Sequence, residues 1–161
     1  MVSLKWCLSK EKGIELIESN ENMSRSYIGM AGESVKIIEN VNESNIWTAA
    51  TTYYIFYYSL YALMMRIGVK CEIHTCSLEF MKQMLTEFYS VEDVEAINSA
   101  FSARTDLQYY ANRPVEPVII QRNKKYSKDF YIKSKDVLSR ITERQIDAIR
   151  QRLAKERSST R

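Results

Sequence analysis

The feature that most constrains the fold is an apolar stretch between Ser44 and Gly68, which reads SNIWTAATTYYIFYYSLYALMMRIG. The Ser44 hydroxyl can cap the first turn of a helix, and Gly68 can adopt the left-handed conformation that ends one. Apolar and aromatic side chains occur on nearly every side of that helix: Trp47, Ala50, Tyr53, Tyr54, Phe56, Tyr57, Leu60, Tyr61, Leu63, Met64 and Ile67. Because a helix that is apolar all round needs neighbours on every side, we expect it to form the centre of the core.

The same stretch is not expected to cross a membrane. Five tyrosines, three threonines and Arg66 would be costly in hydrocarbon, and no positively charged flank precedes them. The first residues, MVSLKW, are followed by charged residues and do not read as a signal peptide. The three cysteines, at positions 7, 71 and 76, do not suggest a disulfide framework. We therefore expect a cytoplasmic protein with no membrane partner.

Composition and periodicity together favour an all-α protein. Only four Gly and two Pro occur in 161 residues, so tight turns are few. A first amphipathic helix is predicted over residues 23–40, and the apolar helix between Ser44 and Gly68 is the second. A third helix is predicted from Thr75 or Ser77, and a fourth from Ser90, which forms a pattern similar to a capping box with Asp93. The segment RPVEP ends the fourth helix, and the VIIQ that follows it is expected to be briefly extended.

The C-terminal part of the chain is predicted to form one long helix over residues 125–155. With the other helices it gives an antiparallel bundle of four or five helices, in a single domain over residues 23–155. Residues 1–22 are expected to be a partly helical extension, and residues 156–161 a frayed tail. At a rise of about 1.5 Å per residue, the last helix would extend several turns beyond the others. A partner or a second copy could cover the excess.

The charge is distributed unevenly along the chain. From Arg122 to the end there are 13 Lys and Arg against 5 Asp and Glu, whereas residues 1–121 hold 10 and 15. A basic C-terminal third beside an acidic body suggests a nucleic-acid surface or an acidic partner. The alternative is that these charges form the solvated outer faces of helices.

Arg104 is the residue that most suggests a function. On a helical projection, Ile97 and Ala111 lie about 20° from it, and Ala100 and Leu107 lie within about 60°. The guanidinium therefore points along the apolar stripe of the fourth helix, where burial without a partner costs several kcal/mol. We expect a carboxylate, a group of tyrosine oxygens, a second copy or a bound phosphate beside it. The alternative is a structural ion pair or a side chain that reaches the rim of the bundle.

His74 is the single histidine, in the pattern Cys71-x2-His74-x-Cys76. Three possible metal ligands lie within six residues, but zinc needs a fourth ligand or a water, and no second cluster completes the set. The chain also contains no Gly-rich phosphate loop, nucleophile elbow or HExxH motif. We therefore predict no metal and no cofactor.

The segment TTYYIFYYSLYALMMRIGVKCEIHTCSLEF resembles the central signature of HEPN domains, which are small helical bundles. It is most similar to the branch with a Tyr-Tyr-x-x-Phe motif in the central helix, then Lys/Arg-x-Gly and a loop with a His. Here these positions are Tyr53, Tyr54, Phe56, Gly68 and His74. Phe56 is one residue closer than usual if Tyr54 is the second Tyr, and the motif is in register if Phe56 or Tyr57 fills the slot. The resemblance covers roughly residues 23–150.

The resemblance implies a homodimer that pairs with a small nucleotidyltransferase in a toxin–antitoxin module. HEPN domains include metal-independent ribonucleases, in which the Arg and His of an Arg-x4–6-His motif from two chains face each other. In this chain Arg104 takes the place of that Arg, and Tyr109 stands where the His would be. A phenol is a poor general base at neutral pH because it holds its proton. Tyr109 is also expected about 140° away from Arg104 around the helix.

Three functional hypotheses follow. The first is a HEPN-like protein that binds a nucleotide or an RNA phosphate through Arg104, Tyr53, Tyr57 and Tyr110. The second is a ribonuclease toxin that uses Arg104 with Tyr109 or Tyr110 in place of the usual His. The third is a purely structural interaction module.

Overall fold

The computed structural model describes residues 2–159 as seven helices and one two-stranded sheet. In chain order the elements are α1 Leu4–Ser9, β1 Glu15–Leu16, α2 Glu21–Ile37, α3 Asn45–Ile67, β2 Val69–Lys70, α4 His74–Met84, α5 Val91–Tyr109, α6 Pro117–Arg140 and α7 Glu143–Ser158. The predicted all-α fold class is confirmed. No helix within residues 2–159 has the length and apolar composition needed to cross a membrane.

Helix α3 occupies the centre of the bundle and packs against α2, α5 and α6. Its ends follow the sequence signals: the Ser44 hydroxyl accepts a hydrogen bond from the Trp47 amide, and Gly68 has a φ of 83°. Tyr53, Phe56 and most other α3 side chains are buried. The predicted central core helix is thus confirmed.

The N-terminal segment is tied to the bundle by covalent and backbone bonds. A disulfide joins Cys7 of α1 to Cys76 of α4, and β1 pairs antiparallel with β2, with Glu15 opposite Lys70. The expectation that the cysteines form no disulfide is therefore wrong. The two cysteines lie 69 residues apart, and only the packing of α1 against α4 brings them together.

Two helix starts differ from the prediction because the capping residues differ. Helix α2 begins at Glu21, since the Asn20 side chain accepts a hydrogen bond from the Met23 amide. Helix α4 begins at His74, before both predicted caps, and its N-cap residue Ile73 makes no side-chain cap bond. The capping box of Ser90 with Asp93 at the start of α5 is confirmed.

The prediction of one long helix over residues 125–155 is wrong. Helix α6 starts earlier, because Pro117 fits the first turn of a helix, so VIIQ is helical and not extended. A second capping box, formed by Thr142 with Gln145, begins α7 as a separate helix. The break turns α7 back onto the bundle, where Ile146, Ile149 and Leu153 are buried. The expected overhang therefore does not occur within residues 2–159.

Much of the basic charge in α6 is neutralised within the bundle. Lys124 and Lys128 both pair with Glu39 of the segment after α2, and Lys133 pairs with the buried Asp93. These contacts favour the structural interpretation of the basic residues in α6 over a free nucleic-acid surface.

Candidate anion-binding site

Arg104 lies half-buried on α5 against the aromatic side of α3. Its Nη2 donates to the hydroxyls of Tyr54, at 3.2 Å, and Tyr109, at 3.3 Å. The guanidinium carbon lies 5.3, 5.2 and 5.7 Å from the ring centres of Tyr53, Tyr54 and Tyr109. Of the partners expected for this arginine, the group of tyrosine oxygens is the one that the chain itself supplies.

The tyrosines leave the charge of Arg104 without a counter-ion. Within residues 2–159, Arg104 forms no ion pair, and its buried Nε atom has no hydrogen-bond partner. Phenol oxygens and ring faces are neutral, so they compensate a positive charge less well than a carboxylate or phosphate does. In addition, α3 carries no acidic residue along its whole length. The arrangement can therefore accept an anion.

His74, in the first turn of α4, belongs to the same cluster. Its Nδ1 lies 2.6 Å from the Tyr53 hydroxyl, and its ring stacks on Tyr57 at 4.3 Å with an interplanar angle of 8°. Burial, and then the charge of Arg104, lower the pKa of His74 below its ordinary value. His74 is thus expected to be neutral at neutral pH.

Sequence reasoning did not connect His74 with Arg104. It weighed His74 as a metal ligand, but Cys76 is in a disulfide, and residues 2–159 hold no cluster of three His, Cys, Asp or Glu side chains placed for a metal ion. Arg104 and His74 are 30 positions apart on different helices, so helical periodicity could not relate them. The one available signal was the loop histidine of the HEPN-like pattern.

Tyr53 connects the two residues. Its side chain is completely buried, and burial raises its pKa far above the ordinary value, while Arg104 lowers it by less. The phenol therefore keeps its proton and is the natural donor in its hydrogen bond with His74 Nδ1. In that assignment a neutral His74 carries its own proton on Nε2.

The other predicted tyrosines have different positions. Tyr109 reaches back from the last turn of α5 to contact Arg104, so the expectation that it faces away from Arg104 is wrong. Tyr57 is buried behind the His74 ring. Tyr110 caps α5, and its ring lies 3.8 Å from the guanidinium of Arg113, which pairs with Asp106. Of the tyrosines proposed from the sequence, Tyr53, Tyr57 and Tyr109 therefore contact Arg104 or His74, whereas Tyr110 contacts Arg113.

The site opens onto an aromatic surface of α3. Trp47, Thr51, Tyr54 and Tyr58 follow one another at helical spacing, and all four are partly or largely exposed. Tyr54 and Tyr58 have ring centres 5.2 Å apart. Tyr109, beside Arg104, is 63% exposed. The half-buried Arg104 therefore lies next to aromatic rings that solvent can reach.

No protein-family model matches the chain, and a search of curated protein sequences finds no match. The resemblance to HEPN domains therefore stays an expectation from the sequence.

Proposed function

We propose that this protein binds the phosphate group of a nucleotide or an RNA at Arg104. The proposal rests on the hydrogen-bond partners of this arginine. It is a half-buried cation whose hydrogen-bond partners within residues 2–159 are two phenols, and its buried Nε has no partner. A phosphate would supply both the missing negative charge and acceptors for the planar guanidinium donors.

The aromatic surroundings favour a nucleotide over a simple inorganic anion. Tyr54 and the exposed Tyr109 flank the guanidinium, and Tyr58 continues the row along α3. Tyrosine rings next to a basic side chain are typical of sites where bases stack while phosphates bind the cation. Bases of a single strand fit such a surface, because a base inside a duplex is already stacked on both of its faces.

The biological setting follows from the HEPN-like pattern. The protein would act with a small nucleotidyltransferase in a toxin–antitoxin module, and a nucleotidyltransferase gene beside its own gene would support this. A cytoplasmic location belongs to the same proposal, although the cysteines no longer support it. Since cytosolic thiols are normally kept reduced, an assay for free thiols at Cys7 and Cys76 in freshly isolated protein tests that location.

A homodimer is also part of the proposal. Met23, Met30 and Ile37 share one side of α2 at seven-residue spacing, and all are at least 40% exposed. Ile46 and Trp47 in the first turn of α3 are exposed as well. Such a surface suits a second copy of the chain. A monomer mass by light scattering at micromolar concentration would contradict this part.

The test of the main proposal is the melting temperature with a panel of nucleotides and short RNAs. A ligand at 100 times its dissociation constant adds about 2.7 kcal/mol to the stability of the folded state. We expect at least one ligand to raise the melting temperature of the wild-type protein, and Arg104→Met to lose that increase. Arg113→Met is the matched control, because Arg113 is exposed and already paired with Asp106. An equal increase in Arg104→Met, or none with any ligand, would contradict the proposal.

A ribonuclease is the second candidate function. The contact of Tyr109 with Arg104 and the nearby His74 favour it, since together they offer a cation and groups able to exchange protons. In that case the wild-type protein would cleave single-stranded RNA without metal, and Arg104→Met would stop cleavage without unfolding the protein. Loss of the fold in Arg104→Met would instead support the purely structural role.

A further inference from the structure

We propose that His74 is a second phosphate ligand, whose Nε2–H donates to the phosphate held by Arg104, and that Tyr53 is the positioning residue for this donor. This inference rests on the proposed function and identifies another group at the same site. It concerns a residue that lies outside the helix of Arg104.

The His74 ring is fixed on several sides by α3 and α5. Tyr57 stacks on one face at 4.3 Å, Phe101 lies 6.4 Å away, and the Tyr53 hydroxyl meets Nδ1 at 2.6 Å. Within residues 2–159, no hydrogen bond is formed by Nε2. The ring therefore has one nitrogen held by the protein and one available to a ligand.

Tyr53 sets which nitrogen carries the proton. Its buried hydroxyl holds its own proton and donates to Nδ1, so the neutral ring must be protonated at Nε2. The Tyr53 ring also lies 5.3 Å from the Arg104 guanidinium carbon. Tyr53 therefore lies between His74 and Arg104, and a phosphate has several oxygens with which to accept from two donors.

The charges around His74 predict how binding depends on pH. The titratable groups that face it are Tyr53 and Tyr57 from α3 and Arg104 from α5, and among these only Arg104 is charged. Burial and Arg104 disfavour the imidazolium in the free protein. A bound phosphate offsets the charge of Arg104, so it favours protonation of His74, and binding takes up a proton. Affinity should therefore rise as the pH falls.

The experiment uses 2′-O-methyl hexauridylate, an RNA analogue that lacks the 2′-hydroxyl required for its cleavage and whose phosphodiesters do not titrate near neutrality. Isothermal titration calorimetry measures its affinity at about pH 7.5 and about pH 5.5, the range in which a histidine changes charge. The wild-type affinity should rise roughly threefold to tenfold on acidification. In His74→Gln, whose amide side chain cannot titrate in this range, the rise in affinity on acidification should disappear.

Tyr53→Phe separates positioning from packing. It keeps the ring but removes the donor to Nδ1, so the neutral imidazole loses its stabilising bond and His74 should protonate at a higher pH. The rise in affinity should then begin at a higher pH than in the wild type. A change of packing alone would lower the melting temperature and leave the pH profile in place.

The outcomes separate this inference from the proposed function. If Arg104→Met loses binding but the wild-type affinity does not change with pH, or if His74→Gln retains the rise, His74 is not a ligand and the function of Arg104 stands. A pH profile unchanged in Tyr53→Phe contradicts the positioning role. If Arg104→Met binds like the wild type, or the wild type does not bind, the proposed function fails together with this inference.

Discussion

Two half-buried arginines, Arg150 and Arg104, have opposite surroundings. Arg150 projects from α7, and its Nη1 donates to the carbonyls of Ile17, Ile67 and Gly68 at 2.8, 3.0 and 3.0 Å. Two of these carbonyls belong to the C-terminus of α3, where the helix dipole is negative and unpaired acceptors need donors. Arg104 has two phenols and a buried Nε without a partner.

The difference shows how a structural arginine can be distinguished from a functional one. The hydrogen bonds of Arg150 supply donors to backbone carbonyls as well as acceptors to the guanidinium. Removal of Arg150 therefore takes a donor away from these carbonyls. Water could replace Arg104 as the hydrogen-bond donor to Tyr109 and Tyr54, because these two side chains are exposed or half-exposed. Arg150 should therefore stabilise the fold, and Arg104 should be available to a ligand.

The largest effect should come from Arg150→Met. The substitution keeps the aliphatic stem but removes the Arg150 donor from the Ile17 and Ile67 carbonyls, whereas the Gly68 carbonyl keeps its bond from the Ile17 amide. The loss should lower the free energy of unfolding by about 2–4 kcal/mol. Urea unfolding measures this loss, and ligand binding measured on the folded variant should stay unchanged. If stability were unaffected while ligand binding disappeared, the roles assigned to the two arginines would be reversed.

Gly68→Ala should have the next largest effect, because it disturbs the site of Arg150 from the other side. Gly68 has a φ of 83°, and an added Cβ would lie 2.6 Å from the Ile17 carbonyl oxygen and close to Arg150 Nη1. The left-handed conformation and the close contacts should cost about 1–3 kcal/mol. Gly29→Ala is the control, since a Cβ there meets nothing within 4 Å. An equal stability change in both variants would mean that the contact with Arg150 is not important.

Arg104→Met should have the smallest effect on stability, below about 1 kcal/mol, because the phenols can bond to water instead. Its signature should be electrostatic: the charge of Arg104 lowers the pKa of His74, so its removal should raise that pKa. An NMR titration of the His74 ring protons measures the change directly. A His74 pKa that is unchanged or lower in Arg104→Met would show that the two groups are not coupled.

The features that could be predicted from the sequence are those determined by residues close together in the chain. Helix α3 was predicted from its caps and its continuous apolar character, and Arg104 from its place on an apolar stripe. The break between α6 and α7 could also have been found, because Thr142-x-x-Gln145 is a capping-box pattern inside the predicted long helix. Local sequence did contain that information.

The remaining contacts depend on packing between distant parts of the chain. Arg150 meets carbonyls 82 to 133 residues away in sequence, and Cys7 meets Cys76 only because α1 packs on α4. His74 joins Arg104 through Tyr53 of a third helix. Periodicity describes one face of one helix, so it cannot predict a cluster to which three helices contribute.

The most direct measurement of the central claim is a ¹⁵N NMR titration of the arginine Nε–H signals with a short single-stranded RNA. Arg104→Met and Arg150→Met assign the two signals by their loss. The signal of Arg104 should move saturably as the ligand is added, because the phosphate charge approaches its guanidinium, while the signal of Arg150 stays in place. An Arg104 signal that does not move at RNA concentrations that raise the melting temperature would contradict the assignment of the site to Arg104.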